Sequence, residues 1–130
     1  MDISEIILSL GNYEFIINGE INNEEDWNNN VKFVNGVDEN GIAIFTENKP
    51  ITWSQIQTQK PIAEFDNAMA ELRAKRNALL TETDYIVIKA KETGATIPTA
   101  WKTYRQALRD ITENLTTVNE VNAVVFPDKP

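Results

Sequence analysis

Neither cysteine nor histidine occurs anywhere in the 130 residues. Their absence excludes disulfides, a thiolate nucleophile, the commonest zinc ligands and an imidazole base working near neutral pH. Glycine is scarce as well: the five residues form neither a GxGxxG turn nor a phosphate-cradling loop. Bases are outnumbered by acids, 12 against 20, for a formal charge of -8. Such a surface repels phosphate backbones and anionic lipid, so nucleic acid and membranes are poor partners for it. Long apolar runs are missing too. Ile6-Ile7-Leu8 is too short for a signal peptide or a membrane span and no basic stretch precedes it, so a protein kept in the cytosol until it is assembled is expected.

What is present is enough for a folded core. Hydrophobic residues make up 42% of the chain and charged residues 25%, near globular averages and away from the disordered regime. Charge is uneven: residues 1–61 hold 10 acids and 3 bases, a net -7, whereas 62–130 hold 10 and 9, a net -1. The break coincides with a change of pattern at Pro61. The expected fold class is α+β, with a small antiparallel β-rich lobe over 1–61. A helical lobe over 62–130 follows, with two main helices and a C-terminal extended strap.

In the first lobe, Tyr13 to Ile17 reads as a strand running into Asn18-Gly19, a dipeptide suited to a type I′ hairpin turn. Val31–Val34 and Ile42–Phe45 read as a second strand pair, separated by a turn at Asp38-Glu39-Asn40-Gly41. That acidic turn lacks the ligand spacing and distal glutamate of a calcium loop. The polar run Asn22 to Asn30 reads as a loop. Thr52-Trp53-Ser54-Gln55 fits a capping box that opens a helix or a turn of one. Trp27 and Trp53 have two readings. The habit of large aromatics favours core anchors of a thin sheet, and the alternative makes them exposed anchors of an interface.

In the second lobe, Ile62, Phe65, Met69, Leu72, Arg76 and Leu79 recur at spacings of 3 and 4, one stripe of a helix from Ile62 to Leu80. Trp101, Tyr104, Leu108, Ile111 and Leu115 do the same on a helix from Pro98 to Leu115, and the two stripes are expected to pack together. Tyr85 to Ala90 is β-branched, but Thr83 offers a cap and Gly94 a stop, which favours a short third helix. From Val121 to Pro130 two prolines favour an extended strap. Arg76 interrupts an apolar stripe, so its guanidinium needs a carboxylate or carbonyls, with Asp84 or Asp110 near enough to serve. The acids Glu24-Glu25-Asp26 read as solvated surface and not as a glycosidase pair. No catalytic, cofactor-binding or metal-binding residues are expected.

Three blocks in the second lobe carry a resemblance: Arg73-x-x-Arg76-Asn77-x-x-Leu80-x-x-x-Asp84-Tyr85, then Trp101-x-x-Tyr104-Arg105-Gln106-Ala107-Leu108-Arg109-Asp110-Ile111, then Phe126-Pro127-x-x-Pro130. They resemble, in the same order, the C-terminal domain of the tailed-phage tail fibre assembly protein and phage tail assembly chaperone family. Tyr85 stands where that family usually has tryptophan. The resemblance implies a non-enzymatic chaperone that binds a tail fibre polypeptide and aids its folding, trimerisation or attachment. The alternative it leaves open is a permanent structural subunit of the tail, as fibre, adapter or baseplate component. Its implied partners are a tail fibre or another tail protein, with self-association inside a tail assembly left open. The implied place is the host cytoplasm during assembly, or the virion tail.

Overall fold

The computed structural model describes residues 2–130. The fold is α+β: a small three-stranded antiparallel sheet with helices around it, followed by helices. The chain divides into two compact units, Met1–Glu64 and Phe65–Pro130.

The first unit starts with a helix that apolar patterning did not reveal, α1 (Ile3–Leu10). Asp2 caps it by accepting from the Ser4 amide at 3.0 Å, and Glu5 reaches back to the Asp2 amide at 3.0 Å. This reciprocal pair satisfies two donors that a helix start otherwise leaves open. Three strands follow, β1 (Phe15–Ile17), β2 (Val31–Val37) and β3 (Ala43–Phe45), in the order β1-β2-β3. Phe15 pairs with Phe33 and Ile17 with Val31, so these four side chains share the inner face.

Asn18-Gly19 does not make the expected two-residue hairpin turn. Only Gly19 has positive φ, and β1 reaches β2 through a helix, α2 (Glu24–Asn30). Asn23 caps that helix by accepting from the Asp26 amide at 2.9 Å, so the polar run expected as a loop is helical instead. Its one large apolar side chain, Trp27, is fully buried with Phe33, Ile6, Ile7, Ile51 and Ile56. Trp27 lies 6.0 Å from the Phe33 ring and 6.2 Å from that of Trp53, which is half-buried. Trp27 is therefore an internal anchor and offers no face to a partner. The turn before β3 forms as expected: Asp38 Oδ1 accepts from the Asn40 and Ile42 amides at 2.8 and 2.9 Å.

The capping box at Thr52 also forms, with the Gln55 amide donating to Thr52 Oγ1 at 3.2 Å and the Thr52 amide to Gln55 Oε1 at 2.8 Å. It opens one continuous helix, α3 (Trp53–Thr93), where three separate helical pieces were expected. Pro61 lies inside it and does not interrupt it. The amide that proline lacks leaves only the carbonyl of the exposed Gln57 unbonded, where water can serve it. No glycine falls between Gly41 and Gly94. Tyr85 to Ala90 therefore continues the helix, and Gly94 ends it with φ 68° while the Ala95 amide donates to the Ala90 carbonyl at 2.9 Å.

The second unit adds α4 (Thr99–Asp110) and a short α5 (Val118–Asn122), after which the chain runs without regular structure to Pro130. The end of α4 comes earlier than Leu115 because residues 111–114 form a turn with Asn114 at φ 60°. The core on α3 also differs from expectation. Met69 and Leu72 pack with Val121, Leu115, Val124 and Phe126, so α5 and the strap cover them. The stripe of α4 meets α3 further along, as the hydrogen bonds described below require.

Two outcomes follow from this packing. Trp27→Ala is expected to cost about 3–5 kcal/mol in urea denaturation followed by circular dichroism, as for any fully buried large aromatic. Glu120 caps α5, accepting from the Thr116 and Thr117 amides at 2.6 and 3.0 Å. Those backbone bonds hold its carboxyl below its ordinary value of 4.5. Because the folded value is the lower one, the cap contributes stability above the ordinary value, and that contribution is lost as pH falls through the folded value. An acid titration followed by the Thr116 and Thr117 amide resonances should show release below the ordinary range, and Glu120→Gln should flatten the step.

Candidate functional site

The residues that carry the sequence resemblance converge on the pairing of α3 with α4. Arg105 is the centre of it. This side chain, only 8% exposed, donates from one Nη to the Leu80 carbonyl at 2.7 Å and to Thr83 Oγ1 at 2.6 Å. Its other Nη donates to Asp84 Oδ1 at 2.7 Å. Thr83 is buried as well and its hydroxyl lies 3.2 and 3.1 Å from the Leu79 and Leu80 carbonyls. Thr83 can thus give its proton to its own helix and accept from the arginine. Asp84 is half-exposed, so solvent screens that ion pair. The buried hydroxyl and the partly buried carbonyl make the larger contribution. Arg105 Nε is buried and has no partner among the described residues.

Arg76, not Arg105, was the arginine expected to pair with Asp84 or Asp110, and that expectation is corrected. Arg76 is half-buried, donates to Asn77 Oδ1 at 3.0 Å and Thr112 Oγ1 at 3.3 Å, and makes no ion pair among the described residues. Asp110 instead accepts from Gln106 Nε2 at 2.8 Å on its own helix. The two ties to α3, Arg105 to Thr83 from α4 and Arg76 to Thr112 in the turn after it, are seven residues apart along each segment. They fix an antiparallel register and bring the fully buried Leu108 to the level of Leu79 and Leu80.

The remaining motif residues separate into inward and outward sets. Tyr104 is buried and meets the half-buried Trp101 edge to face at 5.9 Å. Phe126 packs on Met69, Leu72 and Val121, and Pro127 beside it is half-buried. Arg73, Asn77, Arg109 and Asp110 are exposed, and Tyr85 is 64% exposed. Lys129 donates to Glu82 at 2.6 Å, tying the strap's end to α3, and this bond raises the lysine's pKa. Among the described residues no three histidine, cysteine, aspartate or glutamate side chains come together to hold a metal ion. No described helix is long and apolar enough to cross a membrane.

Arg105→Ala should destabilise the protein by about 2–4 kcal/mol, since it removes stem packing and strips one buried and one partly buried acceptor of their donor. Asp84→Asn should cost about 1 kcal/mol or less because its partner bond is partly solvated. A double-mutant cycle should find coupling of Arg105 to Thr83 larger than coupling to Asp84, and no coupling of Arg76 to either acid. Urea denaturation of the five single and four double variants measures all of these.

Comparison with known proteins gives one match, and no curated protein and no solved structure matches the chain. The match is to the family described as phage tail assembly chaperone protein, over residues 69–130. It takes in α4, α5, the strap and the part of α3 that holds Leu80, Thr83 and Asp84, so the residues clasped by Arg105 all lie within it. Through this segment, just under half of the chain, the protein is similar to the phage tail assembly chaperone family, a likeness that points to a role in tail assembly.

Proposed function

We propose that the protein is a non-enzymatic chaperone that binds a tail fibre polypeptide in the host cytoplasm and aids its folding, trimerisation or attachment. The observation that carries this reading is the family match over a unit whose motif residues are divided between holding the helices together and facing solvent. Arg105, Tyr104 and Leu108 have a packing duty. Tyr85 does not: it is exposed, with Ile88 also exposed one turn along the same helix. An apolar pair on a surface helix that owes nothing to its own core suits contact with another polypeptide. A sequence without cysteine or histidine also favours binding over chemistry.

A fibre polypeptide before trimerisation exposes strand edges that aggregate unless covered. Coexpression with the fibre gene of the same phage is therefore expected to raise the yield of soluble trimer. Tyr85→Ala combined with Ile88→Ala should reduce that gain without lowering the protein's melting temperature. Mass spectrometry of purified particles distinguishes a chaperone that leaves, and is absent, from a permanent subunit, present in stoichiometric amount. Unchanged fibre solubility, trimer content and infectivity on removing the whole protein would refute the tail fibre reading.

A further inference from the structure

We propose that the outer edge of β3 is a docking site for one extended segment of a tail polypeptide, with alternating apolar side chains and lysine or arginine at its flanks. The proposal rests on the tail assembly reading and names the surface and the chemistry of the partner.

Backbone geometry sets the edge. The Thr46 amide donates to the Phe33 carbonyl at 2.9 Å and the Asp38 amide to the Ile42 carbonyl at 2.8 Å. Between these bonds Val34 stands opposite Phe45 and Val37 opposite Ala43. In an antiparallel ladder residues placed so have their own N–H and C=O turned away from the neighbouring strand. Ala43 and Phe45 thus point two donors and two acceptors outward, and among the described residues no strand lies beyond β3. An added strand takes up all four.

Side chains complete the site. Both faces of β3 are apolar and accessible: Ile42 is 64% exposed and Ile44 44% on one side, and Phe45 is 39% exposed on the other. Val37, across from Ala43, is exposed too. Proteins protect an open edge with a lysine, a proline or a charge on the strand, with a bulge or by keeping it short; Ala43-Ile44-Phe45 has none of the first three, and its protection is confined to its three-residue length and the register shift between Val34 and Val37. Lys32, on the neighbouring strand, lies over the Phe45 ring at 5.6 Å, and the ring keeps 39% of its surface exposed.

Charge selects the occupant. From Phe33 to Asn48 the chain carries Asp38, Glu39 and Glu47, with Lys32 and Lys49 just outside the two ends, and residues 1–61 carry a net -7. Two copies meeting edge to edge would bring this charge together, which disfavours a second copy of the chain. A segment with basic flanks is attracted, and lining up along β3 puts its alternate side chains against Ile42 and Ile44 on one face and Phe45 on the other.

The test uses the full chain and a tiled set of 15-residue peptides covering the tail proteins of the same phage. Peptides of alternating apolar pattern with basic flanks should bind, in fluorescence anisotropy, at least about tenfold more tightly than acid-flanked versions, with the difference shrinking in high salt. Hydrogen exchange should slow at Ala43 and Phe45 on binding. Ala43→Pro removes one outward donor and leaves the bonds to β2 in place, and should abolish binding. Should that variant unfold, N-methylating the alternate peptide amides that face β3 tests the same bonds in the unaltered protein and should weaken binding to the same degree. Protection confined to the second unit, indifference to both changes, no binding peptide, or dimerisation through β3 in sedimentation equilibrium would each overturn the proposal. Phage lacking the protein that still build normal tails would overturn the assembly reading and this proposal with it. A deletion defect repaired in full by Ala43→Pro protein would leave the assembly reading standing and remove the edge alone.

Discussion

The Arg105 guanidinium is the one strongly polar group shut inside the second unit, and the placement of α4 on α3 follows from where it can be satisfied. A helix interior offers few free acceptors, because its carbonyls are committed to amides four residues on. At Leu80 a second lone pair of the carbonyl is available, and at Thr83 a side-chain oxygen stands beside it. Burying a charged group without such partners costs far more than burying apolar surface returns, so other registers of the pair are disfavoured. Once Arg105 is seated, Leu108 comes to lie at Leu79 and Leu80, Thr112 reaches Arg76, and the chain beyond is led back to where α5 and the strap cover Met69 and Leu72.

This constraint was only half legible in the sequence. Helical spacing identified Trp101, Tyr104 and Leu108 as an inward stripe and drew attention to Arg76 because it interrupts a stripe on α3. Arg105 was not singled out from the other motif arginines, although it stands four residues after Trp101 and three before Leu108, on the flank of the same face. Spacing measures direction from one helix alone. Which of two flanking arginines is buried depends on the second helix, and that is set by acceptors spacing does not display.

In the first unit, sequence signals held where local chemistry decides the outcome and failed where the core overrode it. Asp38 and Thr52 built the turn and the cap their side chains favour. Asn18-Gly19 did not become a hairpin turn, since Asn23 starts a helix that carries Trp27 into the core, and burial of that ring outweighs a turn preference. Pro61 did not end a helix because the residues around it favour helix and the carbonyl it leaves free faces water. The two units thus use different means: an aromatic core under a thin sheet in one, a buried polar clasp between helices in the other.

The clasp itself is open to direct observation. Nuclear magnetic resonance of the Arg105 side chain at reduced temperature reports whether the guanidinium is held. If it bonds Leu80, Thr83 and Asp84 as described, its Nη protons should appear as separate, slowly exchanging signals with contacts to the Thr83 methyl group. A single averaged signal exchanging with water as fast as those of the exposed Arg73 and Arg109 would contradict the account.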